Sequence, residues 1–271
     1  MKLQFTNGYR PKFDQISRIL QYLLGEENRK KISQKDIVEK LGIPTNEVEN
    51  LISMMVGFGL VIPRVGTITS LGKMIIQFDP YFEKIESIWI IHYIVSSNPE
   101  WVVWYRVIND VLPSRDKFTI DSISSNYFSD LQLKYSKKTI EDKLPKEVGT
   151  VFASYTRSNF VRLGILEQDT KMGYYIRGNQ QQMPALALLF CILYYRDHYS
   201  PGSSALNVED VCLAENSPGR VLNIPEYQIR GQLDNLHSRG LIRLERFANL
   251  DQVRITDTTT QQSVLTEIYR R

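Results

Sequence analysis

The chain has 271 residues, 33 Lys+Arg against 30 Asp+Glu for a net charge of +3, and 42 % hydrophobic residues. With 11 Pro and 15 Gly, this composition excludes a disordered or fibrous chain and fits two or three small globular domains. The apolar runs 85–95 and 184–195 fall short of the roughly 20 residues a bilayer span needs, and the start lacks an apolar signal core. A cytoplasmic protein with no membrane segment is therefore expected. Cys191 and Cys212 have neither metal nor redox spacing and read as reduced, buried thiols.

The first module is expected over residues 1–78. Ile16, Ile19, Leu20 and Leu23 form an apolar stripe at helical spacing. Ser33 and Asp36 form a capping-box pattern opening a short helix that ends near Gly42. Thr45 is positioned to cap a further helix with Val48, Leu51, Ile52 and Met55 on its inner face and Asn46, Glu47, Glu49, Asn50, Ser53 and Met54 outside. A wing over 60–68 would turn near Val65-Gly66. The outer face holds two carboxylates and no cation, which the DNA backbone would repel. Glu47, Glu49 and Asn50 are therefore candidates for a protein partner. The basic run Arg29-Lys30-Lys31 reads either as a phosphate contact or as a solvated turn.

Residues 79–117 read as an aromatic helical connector, with Tyr81, Phe82, Trp89, Tyr93, Trp101, Trp104 and Tyr105 expected as core packing. His92 has no second His or acidic neighbour and reads as a satisfied core histidine. The second module, 118–180, opens with Thr119 as a helix cap. Its long apolar-striped stretch is expected to break or restart at Pro145. Lys137, Lys138, Lys143 and Lys146 make its most lysine-rich part, which reads either as a solvated helix face or as a phosphate contact, with Lys137 and Lys138 as the candidates.

The third module, 181–271, carries nine Arg, no Lys and ten Asp+Glu. Arginine's planar fork suits phosphate and guanine edges; compositional drift explains the bias equally well. A buried helix is expected over 184–195, and another after Pro225 with Ile229, Leu233 and Leu236 inside. Gln228, Gly231, Gln232, Asn235 and Arg239 then share one outward face. Gln and Asn can pair with adenine and Arg with guanine, so Gln228, Gln232, Asn235 and Arg239 are candidate DNA readers, with Arg243, Arg246 and Arg254 on the following wing. An ordinary polar face is the alternative.

A helix-like stretch ends in glycine three times, at Gly59-Leu60-Val61, Gly164-Ile165-Leu166 and Gly240-Leu241-Ile242, each before a hairpin pattern. The expected fold is therefore mainly α with small β-hairpin wings, in tandem winged helix-turn-helix-like modules.

Leu71-Gly72-Lys73, Asp79-Pro80-Tyr81, the run Ile88 to Tyr93, Phe118-Thr119, the run Pro201 to Leu206 and the run Asn216 to Val221 resemble a bacterial domain-of-unknown-function family. Its genes occur near phosphoadenosine-phosphosulfate-reductase-like genes of DNA phosphorothioation and related defence loci. Where members of that family commonly begin with Gly-His-Glu-Thr-Phe, this chain has Asn7-Gly8-Tyr9-Arg10-Pro11, and a later loop is shortened to Ser158-Asn159-Phe160. The resemblance implies a DNA-modification or anti-phage context and brings no catalytic residues.

The sequence contains no phosphate loop, dinucleotide fingerprint, metal set or serine-nucleophile motif. The expectation is a non-enzymatic protein without cofactor or metal, binding double-stranded DNA as an accessory or regulator of such a system. The alternative is an adaptor that uses winged-helix surfaces to assemble the modification enzymes.

Overall fold

The computed structural model describes residues 2–26, 33–63, 67–114, 117–247 and 250–270. The chain divides into two compact units, Met1–Gln181 and Gln182–Arg271. The spans 1–78, 79–117 and 118–180 all lie in the first.

The first unit begins with an irregular segment that buries Leu3, Phe5 and Thr6. Helix α1 (Phe13–Gly25) turns the expected stripe inward. The Ser33–Asp36 capping box opens α2 (Gln34–Leu41). In α3 (Thr45–Gly57) the N-cap position falls to Pro44, with no side-chain cap bond, rather than to Thr45. Helix α4 (Ser70–Phe78) is capped by Thr69. Helix α5 (Ile85–Ser97) is buried on almost every face. Helix α6 (Val102–Arg106) continues through a π turn at Val107–Val111 into α7 (Leu112–Ser114). Strand β1 (Lys117–Phe118) precedes α8 (Ile120–Asn126) and α9 (Lys137–Arg157), after which β2 (Leu166–Asp169) and β3 (Tyr174–Arg177) form a hairpin. The antiparallel sheet runs β1-β3-β2.

Aromatic rings fill this unit's core. Phe5 stacks on Trp101 at 4.3 Å, Phe160 meets Phe13, Phe58 and Trp104 edge to face, and Phe58 meets Trp104 in the same way. Each fully buried ring contributes about 1.5–3 kcal/mol. Gly57 is needed here, because a Cβ would lie 2.5 Å from the Phe5 ring.

Two further expectations are corrected in this unit. Helix α9 runs unbroken through Pro145. The carbonyl that loses its partner to the proline is that of exposed Glu141, where water can replace the bond. Asn50 and Met54 are buried rather than outward, because the N-terminal segment lies across that side of α3. Asn7 Nδ2 donates to Asn50 Oδ1 at 2.6 Å, and Asn50 Nδ2 donates to the Asn46 carbonyl at 2.7 Å. Val61 and Ile68 form a single antiparallel bridge after α3. The expected Val65-Gly66 turn and the Arg29-Lys30-Lys31 run lie outside the described residues.

The second unit contains α10 (Ala185–Tyr199), β4 (Ala205–Asn207), α11 (Val208–Leu213), α12 (Pro218–Leu222), α13 (Glu226–Ser238), β5 (Ile242–Glu245), β6 (Gln252–Ile255) and α14 (Gln261–Tyr269). Its sheet is antiparallel, ordered β4-β6-β5. Helix α10 packs on α13 and α14, and Ile229, Leu233, Leu236, Val253 and Val264 close the core. In both units a strand ahead of the helices, β1 or β4, joins the expected hairpin as a third strand. Gly59, Gly164 and Gly240 all adopt the left-handed conformation, with φ of 71°, 64° and 71°.

Candidate nucleic-acid interface

A concave surface of the first unit collects cations from distant parts of the chain. One hollow of about 540 Å³ is bordered by Arg10, Lys12, Arg18, Tyr81, Arg157 and Asn159. A second, of about 660 Å³, shares Arg10, Lys12 and Arg157 with the first and adds Tyr9, Lys146 and Thr150. A third shares Tyr81, Arg157 and Asn159 and is also bordered by Arg162. Arg157 thus borders all three.

The face of α9 that lines the cleft is set by helical spacing. Lys146, Gly149, Thr150, Ala153 and Arg157 fall at i, i+3, i+4, i+7 and i+11, over a helical rise of ~16 Å. Small side chains between the cations leave the hollow open. Among the described residues, no carboxylate pairs with Arg10, Lys146 or Arg157. Arg157 instead donates to the neutral Gln168 Oε1 at 2.9 Å. Lys12 is paired with Glu47 at 2.7 Å, and the carboxylates of Asp14 and Glu83 also border the cleft. Three cations without a carboxylate partner among the described residues make the rim of these hollows positive.

The opposite wall, Asn7 to Arg10, is held by a buried carboxylate. Glu147 Oε2 accepts from Thr6 N at 3.1 Å, Thr6 Oγ1 at 2.9 Å and Phe5 N at 3.4 Å. Burial pushes the Glu147 carboxyl up from its ordinary value, against the lowering effect of these donors. Asn7 and Gly8 then turn the chain with φ of 50° and 82°, placing Tyr9 and Arg10 at the cleft. Behind α9, Tyr155 Oη lies 2.6 Å from His92 Nδ1 and accepts from Trp104 Nε1 at 3.0 Å. Burial holds the imidazole neutral, with a pKa of about 3.

The residues singled out from sequence occupy other places. Lys137 and Lys138 are exposed on the first turn of α9, Lys137 lying 3.7 Å from Glu141. Glu47 is tied to Lys12, Glu49 is exposed and Asn50 is buried. On α13, Gln228 and Asn235 are exposed, whereas Gln232 Nε2 donates to the Met183 carbonyl at 3.1 Å. The arginines are paired with carboxylates of their own unit: Arg239 with Glu267 at 2.7 Å, Arg246 with Asp234 at 2.8 Å, and Arg254 with both oxygens of Glu245 at 2.9 and 3.0 Å. Arg243 is 3.8 Å from Glu245. Arg254 holds Glu245 below the usual carboxylate range.

Sequence reasoning missed Arg10 and Arg157; it included Lys146 in the lysine-rich stretch suited to phosphate, and it counted Tyr81 among core-packing aromatics, whereas the ring is exposed at the cleft. The pattern Lys-x-x-Gly-Thr-x-x-Ala-x-x-x-Arg over 146–157 was the available signal, and the expected break at Pro145 hid it.

These observations define a mainly helical protein with two small antiparallel sheets and a basic cleft in its first unit. Residues 22–269 match the family described as "Protein of unknown function (DUF4007)", and the chain belongs to that family. It is similar to the crystal structure of SspB, at 18 % identity and a TM-score of 0.79 over 98 % of this chain and 87 % of that one. A magnesium ion-bound SspB crystal structure is similar at 17 % identity and a TM-score of 0.77, with the same coverage. At these identities the likeness defines the fold. No curated protein matches the chain. Among the described residues of this chain, no group of three or more His, Cys, Asp or Glu is placed to hold a metal ion. Nor is any described helix long and apolar enough to cross a membrane.

Proposed function

We propose that this protein is a DNA-binding component of a bacterial DNA-modification or anti-phage defence system, gripping the phosphate backbone in the cleft of its first unit. The observation that carries the reading is the convergence of Arg10, Lys146 and Arg157, without carboxylate partners, on adjoining hollows. Family membership and the SspB-like fold support the defence context. In the second unit the order helix, strand, helices, helix, hairpin is the order a winged helix-turn-helix would have, which supports that reading of this unit. Binding should weaken steeply between about 50 and 200 mM salt, because phosphate contacts release counterions. A shift assay that detects no DNA binding even at low salt would refute the reading.

Features of the second unit favour the adaptor role alongside DNA. The arginines of α13 and its hairpin are charge-compensated, while Tyr227 and Phe247 of the same unit are 72 % and 60 % exposed. Compensated charge and exposed aromatics suit protein contact better than a phosphate backbone. Co-purification with a modification enzyme, abolished by Tyr227→Ala with Phe247→Ala, is the expected result. We assign the chain binding rather than chemistry. Incubation with supercoiled plasmid and magnesium tests this, and a nicked or linear product would refute it.

A further inference from the structure

Tyr81 is an aromatic ring held out into solvent at the edge of the basic cleft. It is 75 % exposed, whereas the next residue, Phe82, is fully buried. The turn that separates them is built firmly. The buried Asp79 carboxylate accepts from Glu83 N at 2.7 Å, Lys84 N at 3.2 Å and Ser87 Oγ at 2.5 Å. Phe82 sits at φ 55°, a conformation rare for a bulky residue, and plugs into the core 4.9 Å from the Phe13 ring. Arg162 donates to the Phe82 carbonyl at 2.8 Å and also to that of Glu83. These contacts overdetermine a strained backbone, and such strain persists where the surroundings hold it.

The neighbours of the ring are as informative as the ring itself. Tyr81 shares two hollows with Arg157 and Asn159, and Tyr9, also exposed, borders the hollow at the other end together with Arg10 and Lys146. Aromatic faces interleaved with cations along one groove are the elements of single-strand recognition: the cations follow the backbone and the rings take unpaired bases. In a duplex the base faces are already stacked, so an exposed tyrosine adds little. The Asn159 amide, with a donor and an acceptor side by side, suits the edge of a base.

We propose that the cleft takes single-stranded DNA, with an unpaired base stacked on Tyr81 and its flanking phosphates on Arg157 and Arg10. This rests on the reading of the cleft as a phosphate-binding surface. Fluorescence anisotropy with a labelled single-stranded oligonucleotide and with its duplex, on the full chain, tests both. The expected result is tighter binding of the single strand, a loss of about tenfold for that strand in Tyr81→Ala, little change for the duplex, and retention in Tyr81→Phe. Equal affinity for the two forms, or a Tyr81→Ala variant that binds the single strand like wild type, would overturn the stacking proposal while leaving the cleft intact. If Arg10→Ala with Arg157→Ala leaves both forms bound as before, the cleft reading fails and the stacking proposal with it. Matching circular dichroism spectra and melting temperatures keep a folding defect from being mistaken for either loss.

Discussion

Helices α9 and α13 carry faces of the same spacing and opposite character. On α9 the sequence of positions is Lys146, Gly149, Thr150, Ala153, Arg157; on α13 it is Gln228, Gly231, Gln232, Asn235, Arg239. Each has glycine at the second position and arginine at the last. The α9 face borders hollows, and its two cations have no carboxylate partner among the described residues. The terminal arginine of the α13 face is tied to Glu267, and that face has open space around Gly231. A helix face is therefore not made a DNA surface by its residue types alone. What the neighbouring elements supply, a facing wall or a neutralising carboxylate, decides its field.

The comparison breaks first at Glu147. Glu147→Ala leaves the Thr6 and Phe5 donors without an acceptor and should cost about 3 kcal/mol in chemical denaturation. It should also release the wall carrying Arg10, whereas no single substitution on α13 should disturb that wall. Glu147→Gln adds a pH test. Burial raises the folded-state value above the unfolded one of about 4.3. This group's contribution is thus full below the unfolded value and is lost as pH rises through the folded value. Glu147→Gln should remove that part of the stability–pH curve.

The next effect concerns binding. Arg10→Ala with Arg157→Ala should lower DNA affinity tenfold or more. The same pair should flatten the log–log salt dependence by about 0.7–0.9 for each phosphate no longer neutralised. Arg246→Ala, which removes a cation already paired with Asp234, should change affinity less than threefold in the same titration. Equal losses from the two would erase the distinction between the faces. Gly231→Ala should stabilise the second unit by up to ~1 kcal/mol, since its added Cβ meets nothing within 4 Å. Gly149→Ala should gain less, because its Cβ would lie 3.3 Å from Ile120 Cδ1. Smallest of all, Lys137→Ala should shift duplex affinity by less than twofold, Lys137 being exposed on the first turn of α9 and 3.7 Å from Glu141.

Local pattern carried the elements well. The α1 stripe, the Ser33–Asp36 capping box and the three left-handed glycines are encoded within a few residues of where they act. The cleft was not legible in the same way. Thr6 and Glu147 are 141 positions apart, and nothing in either neighbourhood signals the other. Asn50 has the spacing of an exposed residue and becomes buried only because Asn7 arrives from 43 residues away. Strands β1 and β4, two and three residues long, are too short to show an alternation. Ion pairing on α13 escaped for a related reason: partners such as Glu267 come from a different element.

His92, Trp104 and Tyr155 tie α5, α6 and α9 together through hydrogen bonds in an apolar setting. Tyr155 is two residues before Arg157, and each residue of a helix advances it by about 100°. The imidazole therefore acts as a clocking pin: it fixes the angle at which α9 points its last turn. Since that ring titrates near pH 3, the pin keeps one protonation state throughout the neutral range. The aim of Arg157 across the cleft is set by chemistry that ordinary changes of acidity do not reach.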